Sequence, residues 1–167
     1  GALYFATQGT TLGEIHQVRT LLEPPLTALL ASRAKKEFVK ELEECANAQH
    51  EALGRKDYAA AIAAVNQFHH SMVANSENSA LKLLAGMLND ISAAAYPRLL
   101  LSRPNQKVIW ERTEDSIAAH GQILKLISAG KASQAELFWR KYMQETADFL
   151  VKNGLANLPV DIPRSAE

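Results

Sequence analysis

Four residues fall where helical geometry asks for an apolar side chain, given that each successive residue turns about 100° around the axis. His69 shares an arc with Tyr58, Ile62, Val65, Phe68 and Met72, while its neighbour His70 points the other way. His120 is surrounded by Ile117, Ile123, Leu124 and Ile127. Tyr142 belongs with Ala135, Phe138, Trp139, Thr146 and Phe149, and Arg19 with Ile15, Val18, Leu22, Leu26 and Leu29. Imidazoles can ligate a metal, move protons or hydrogen-bond a ligand, a phenol offers a hydroxyl, and a guanidinium neutralises an anion.

Each residue also has a plain structural reading. A single inward histidine is usually a hydrogen-bonded core residue, and a buried Arg19 needs a carboxylate, which Glu23 one turn on can supply. Taken together, inward polar groups on four separate helices predict a shared cavity, the usual ligand site of a helix bundle. Arg19, His69, His120 and Tyr142 are therefore the candidate ligand-binding residues, with the Arg19–Glu23 pair as the alternative for Arg19. Phe68, Phe138, Trp139 and Phe149 read as packing rather than as a cofactor box.

The elements that carry them are all helical, and no period-two strand pattern occurs. The spacing predicts an all-α antiparallel bundle of about six helices. The first covers about 13–32, opened by Thr11 with Glu14 three residues on, and Pro24 and Pro25 inside it predict a kink or break. The second covers about 34–53 and stops at Gly54, and the third is capped by Asp57 and runs to about 74. Asn78 caps a fourth carrying Leu81, Leu84, Leu88 and Ile91, and Pro97 and Pro104 are expected to bracket the next connection. The fifth covers about 105–129 before Gly130, and the sixth about 132–152 before Gly154. Residues 1–12 are expected to be a linker remnant, 13–153 the folded domain, and 154–167, with Pro159 and Pro163, a loose tail.

At 167 residues the chain can enclose a core without metals or crosslinks, and its one cysteine, Cys45, fits a cytoplasmic protein. No apolar run is long enough to span a bilayer, so no membrane partner is expected. Eighteen basic residues balance eighteen acidic ones, which argues against nucleic-acid binding by this chain alone, because phosphate neutralisation requires a basic surface.

The segments Glu14-Ile-His-Gln-Val-Arg-Thr-Leu-Leu-Glu23, Phe68-His69 followed by Asn78, Ala119-His120-Gly-Gln-Ile-Leu, and Gly130 with Ala135 resemble, in order and spacing, the FCD effector domain of FadR-type regulators in the GntR family. The resemblance covers nearly the whole chain and implies an effector-sensing domain of a transcription regulator. It further implies a homodimer that binds a small carboxylate or acyl ligand and couples it to a separate DNA-binding winged helix. In many members an aspartate four residues before the first histidine, that histidine, and two later ones bind a divalent metal. His69 and His120 match that set, whereas Val65 stands at the aspartate position and Tyr142 at the third histidine. The expected metal site is thus incomplete, and no cofactor is expected, with a divalent metal as the open alternative. The effector is then expected to be anionic, held by hydrogen bonds from His69, His120 and Tyr142 with Arg19 neutralising it. Two other readings compete. One is a metal- or histidine-dependent hydrolase using His69 and His120, against which stands the lack of a G-x-S-x-G, H-E-x-x-H or glycine-rich phosphate motif. The other is a helical adaptor without a pocket.

Overall fold

The structure, a computed structural model, describes residues 9–160. Among them are six helices, α1 (Leu12–Arg33), α2 (Lys36–Gly54), α3 (Tyr58–Ala74), α4 (Ser79–Leu101), α5 (Gln106–Ser128) and α6 (Ala132–Lys152). The fold is an all-α bundle.

Local chemistry sets several helix ends. Thr11 and Glu14 form a reciprocal capping box, Thr11 N–H donating to Glu14 Oε2 at 2.8 Å and Glu14 N–H to Thr11 Oγ1 at 3.3 Å. Asp57 and Asn78 cap α3 and α4 through their side chains. Gly130 and Gly154 follow α5 and α6 in the left-handed conformation that lets a helix end without a Cβ clash. Gly54, expected to lie beyond α2, is its last residue, and Lys56 takes the positive φ instead.

The prolines act differently from expectation. Pro24 and Pro25 do not break α1, which runs continuously through them. Pro97 lies inside α4 rather than opening a connection, and only Pro104 falls between helices. Both helices are held by packing along their length, which outweighs a missing backbone hydrogen bond. Near the prolines of α1, Thr27 Oγ1 donates to the Pro24 carbonyl at 2.7 Å.

The short links between α2 and α3, α3 and α4, and α5 and α6 join helices that pack side by side, which forces each pair antiparallel. α1 and α2 are the exception: a left-handed Ala34 redirects the chain, and the two do not lie against each other. Instead α1 packs mainly on α6, with further contacts to α3, α4 and α5, while α5 touches every other helix. Two large apolar cores result, beside a small third cluster of Ala52, Ala61 and Ile117. One gathers Leu26, Leu30, Phe38, Leu42, Phe68, Met72, Ile127 and Trp139, and the other Leu12, Ile15, Ile62, Leu88, Ile91, Leu150 and Leu155. α1 feeds both, and its His16, Arg19 and Glu23 lie between them. Val18 and Leu29, expected on the inner stripe of α1, are exposed, and so is Leu84 of α4.

The stretch after α6, expected to be loose, is packed as far as it is described. Leu155 and Val160 are buried. Leu12 N–H donates to the Leu158 carbonyl at 2.9 Å, Gly13 N–H to Ala156 at 2.8 Å, and Val160 N–H to Thr10 at 2.9 Å. The returning chain thus satisfies first-turn amides of α1 that have no partner within the helix. Residues 1–8 and 161–167, the rest of the expected linker and tail, lie outside the described residues. No described helix is long and apolar enough to cross a membrane.

Candidate functional site

The four residues singled out by helical position are brought together. The rings of His69 and His120 are 5.1 Å apart edge to face, Tyr142 lies 6.4 Å from His69 and 6.0 Å from His120, and Arg19 Nη2 is 2.9 Å from His69 Nδ1. All four are buried.

Arg19 is held chiefly by Glu23. Its Nε–H donates to Glu23 Oε1 at 2.7 Å, and the second carboxylate oxygen accepts from Trp139 Nε1 at 3.0 Å. That oxygen is also 2.9 Å from His69 Nδ1. Nδ1 carries one hydrogen at most, so it serves one neighbour at a time. Protonated, it donates to Glu23 and leaves a lone pair on Nε2; unprotonated, it accepts from Arg19 and Nε2 bears the hydrogen. Burial by itself would raise the Glu23 carboxyl, but Arg19 and His69 beside it reverse that and hold it below the usual carboxylate range. Burial pushes His69 down despite Glu23, so the cluster amounts to one guanidinium, one carboxylate and a neutral imidazole.

A cavity of about 70 Å³ opens beside this cluster, where the two cores meet. Arg19, His69 and Tyr142 line it. His120 does not: it stacks on Phe68, ring centroids 4.1 Å apart, behind the cavity wall. Sequence reasoning missed several lining residues, of which His16 and Arg112 matter most. His16 Nε2–H donates to the Met143 carbonyl at 2.7 Å, which leaves Nδ1 a buried acceptor without a partner among the described residues. Burial, with Arg19 adding to it, pushes His16 down to about 4, so it is neutral at physiological pH. Arg112 lies over the Tyr142 ring, 5.2 Å from its centroid, and donates from Nη2 to Thr146 Oγ1, while its Nε is buried without a partner among the described residues. Burial lifts the Tyr96 hydroxyl, also on the wall, to about 12, so it too stays neutral.

His16, Arg19 and Glu23 follow the i, i+3, i+7 spacing of one helix face, a signal that could have exposed His16. Arg112 is harder to see, because it sits about 80° from His120 around α5, at the edge of the apolar arc. Such positions are as often solvated as buried.

The residues present do not fit the divalent metal that the resemblance raises. Gln49 Nε2 is 3.2 Å from the Ala64 carbonyl and 2.8 Å from His120 Nδ1, and the carbonyl fixes that end of the amide as the donor. His120 Nδ1 therefore accepts, and Nε2 bears the hydrogen and has no lone pair to give an ion. A metal-ligating histidine has the opposite arrangement, its remote N–H donating to an acceptor. Among the described residues the Nε2–H of His120 has no partner, Val65 is aliphatic and Tyr142 a phenol, a poor donor set, and no group of three metal-ligating side chains occurs there.

The family model of the FCD domain matches residues 14–145, most of the chain and all of the cavity wall up to the middle of α6. The chain belongs to the FCD domain family. FCD domains are the C-terminal effector-binding domains of GntR-family regulators, so this is a domain of a regulatory class. Comparison with curated proteins and with solved structures returns no match.

Proposed function

We propose that this FCD domain senses a small carboxylate or related acyl compound in the cavity between α1, α3, α4, α5 and α6, and that its occupancy governs DNA binding by a separate winged-helix domain. The observation that carries this reading is the cavity itself. Its wall includes buried polar atoms with no partner among the described residues, at His16 and Arg112, inside a membership shared with effector-binding domains. A buried unpaired polar group is costly in a closed interior and inexpensive where a guest completes it. The cavity has room for roughly five water molecules, or for an organic acid of similar heavy-atom number.

Arg19, His69 and Tyr142 contribute to that site in this reading, Arg19 and His69 as members of an internally paired cluster and Tyr142 through a hydroxyl with no hydrogen-bond partner among the described residues. His120 supports the wall through Phe68 and Gln49 instead of touching the ligand. The protein is cytoplasmic and not an enzyme in the same reading, and works as a homodimer. Val18, Leu21 and Leu29 leave an exposed apolar row on α1 that a second copy would cover. Coupling requires the effector to prefer one bundle arrangement over another, since equal affinity for both shifts nothing.

Thermal-shift titration of the purified domain with two- to four-carbon carboxylates tests the sensing role. A binder raises the melting temperature with concentration, by roughly 5–10 °C at a hundredfold excess over Kd. A melting temperature indifferent to every such acid and to neutral compounds of the same size would sink it.

A further inference from the structure

Among the described residues, the cation that faces the cavity uncompensated is Arg112, and the geometry points to it, rather than Arg19, as the residue that receives the anionic group of the ligand. This rests on the sensing role above and assigns the chemistry within it.

Arg19 is already spent. Its Nε donates to Glu23, and the Glu23 carboxylate lies in the same buried cluster, so an arriving anion would have to compete with a fixed carboxylate less than 3 Å from the guanidinium. Arg112 has no carboxylate partner among the described residues. Its protein contacts are a hydroxyl, Thr146 Oγ1, and the faces of Tyr142 and Phe149, with centroids 5.2 and 6.0 Å from the guanidinium carbon. These contacts orient the fork without neutralising it, and Nε remains a buried donor with no partner among the described residues.

The other groups around the cavity reinforce this. His16 and His69 on the wall, and His120 behind it, are all pushed towards the neutral form by burial, and Arg19 cancels Glu23. Arg112 is the charge left over. The hydroxyls of Tyr96 and Tyr142 have no hydrogen-bond partner among the described residues and complete a donor-rich wall on which a carboxylate can be bonded. The His16 Nδ1 lone pair supplies an acceptor for a hydroxyl of the same ligand or for a water bound with it.

The test compares acetate, propionate, butyrate and succinate with their primary amides, by thermal shift and calorimetry, on the parent domain, Arg112→Gln and Arg112→Lys. Cooperative melting without ligand checks that each variant is folded. At least one acid is expected to bind the parent, to bind Arg112→Gln about tenfold or more weakly, and to recover part of its affinity in Arg112→Lys, while amide binding is unchanged by either substitution. Acids that bind Arg112→Gln as tightly as the parent would overturn the assignment and leave the sensing role standing. Amides that bind the parent where no acid does would have the same effect. If neither acids nor amides bind the parent, the sensing role falls and this assignment with it.

Discussion

Glu23 is the residue on which the buried cluster turns, since Arg19, Trp139 and His69 all converge on its carboxylate. Removing one partner of a buried ion pair strands the other in a low-dielectric interior, so Glu23→Ala is expected to destabilise the domain by about 3–5 kcal/mol in chemical denaturation. A loss under about 1 kcal/mol would mean that water or a ligand already solvates Arg19. The histidines give a second signature. His16 has a native value near 4 against an ordinary value of 6.5, so between those limits the unfolded chain binds a proton that the folded one refuses. Stability therefore falls as pH is lowered from 6.5 and levels off below about 4, by about 3 kcal/mol from this group. His69 and His120 are shifted the same way. Glu23, shifted down, loses its contribution only below its ordinary value of 4.5, so the fall between pH 6.5 and 4.5 belongs to the histidines. Denaturation curves across that range should be shallower in pH for His16→Gln, and an unchanged slope would contradict a buried neutral His16.

Among the elements, α1 carries the most consequence, because it spans both cores and delivers His16, Arg19 and Glu23 between them. Its first turn is clamped by the chain returning after α6, and the clamp needs Gly13. A Cβ there would meet the Ala156 carbonyl oxygen at 2.8 Å, too close for an unshifted contact with backbone. Gly13→Ala should therefore destabilise the domain by about 1–3 kcal/mol even though alanine is the better helix former, lowering the melting temperature by roughly 2–10 °C. An unchanged or higher melting temperature would show that the 155–160 segment detaches without consequence. The prolines of α1 and α4 make the complementary point, since helices packed on several sides keep their course through residues that would end an isolated one.

At the scale of the whole molecule, the site is assembled from helices far apart in sequence, and this is what decides the metal question. His120 comes from α5, but the amide that fixes its tautomer, Gln49, comes from α2. Stripping the protein with a chelator is accordingly expected to leave its melting temperature unchanged, and added zinc to produce no saturable increase. A drop of several degrees on chelation, restored by a divalent ion, would show that Gln49 releases His120 to a metal.

The amino-acid sequence by itself determined the six helices, most of their caps and stops, and the inward facing of His69, His120, Tyr142 and Arg19. Those follow from local rules, the 3.6-residue period and the bonding of side chains three residues apart, which need no knowledge of the remaining chain. It also carried the family, through short segments whose order survives on one chain. Only the tertiary structure decided which inward residues meet the cavity: it set His120 behind the wall, brought in His16 and Arg112, and closed Arg19 onto Glu23. The physical reason is that a helical arc specifies a direction, while cavity, partner and protonation state depend on what arrives from elsewhere, as Trp139 does at Glu23 from 116 residues away. Arg112, at the margin of its arc, could have faced water or the interior, and the packing of α5 against α6 sets it over Tyr142.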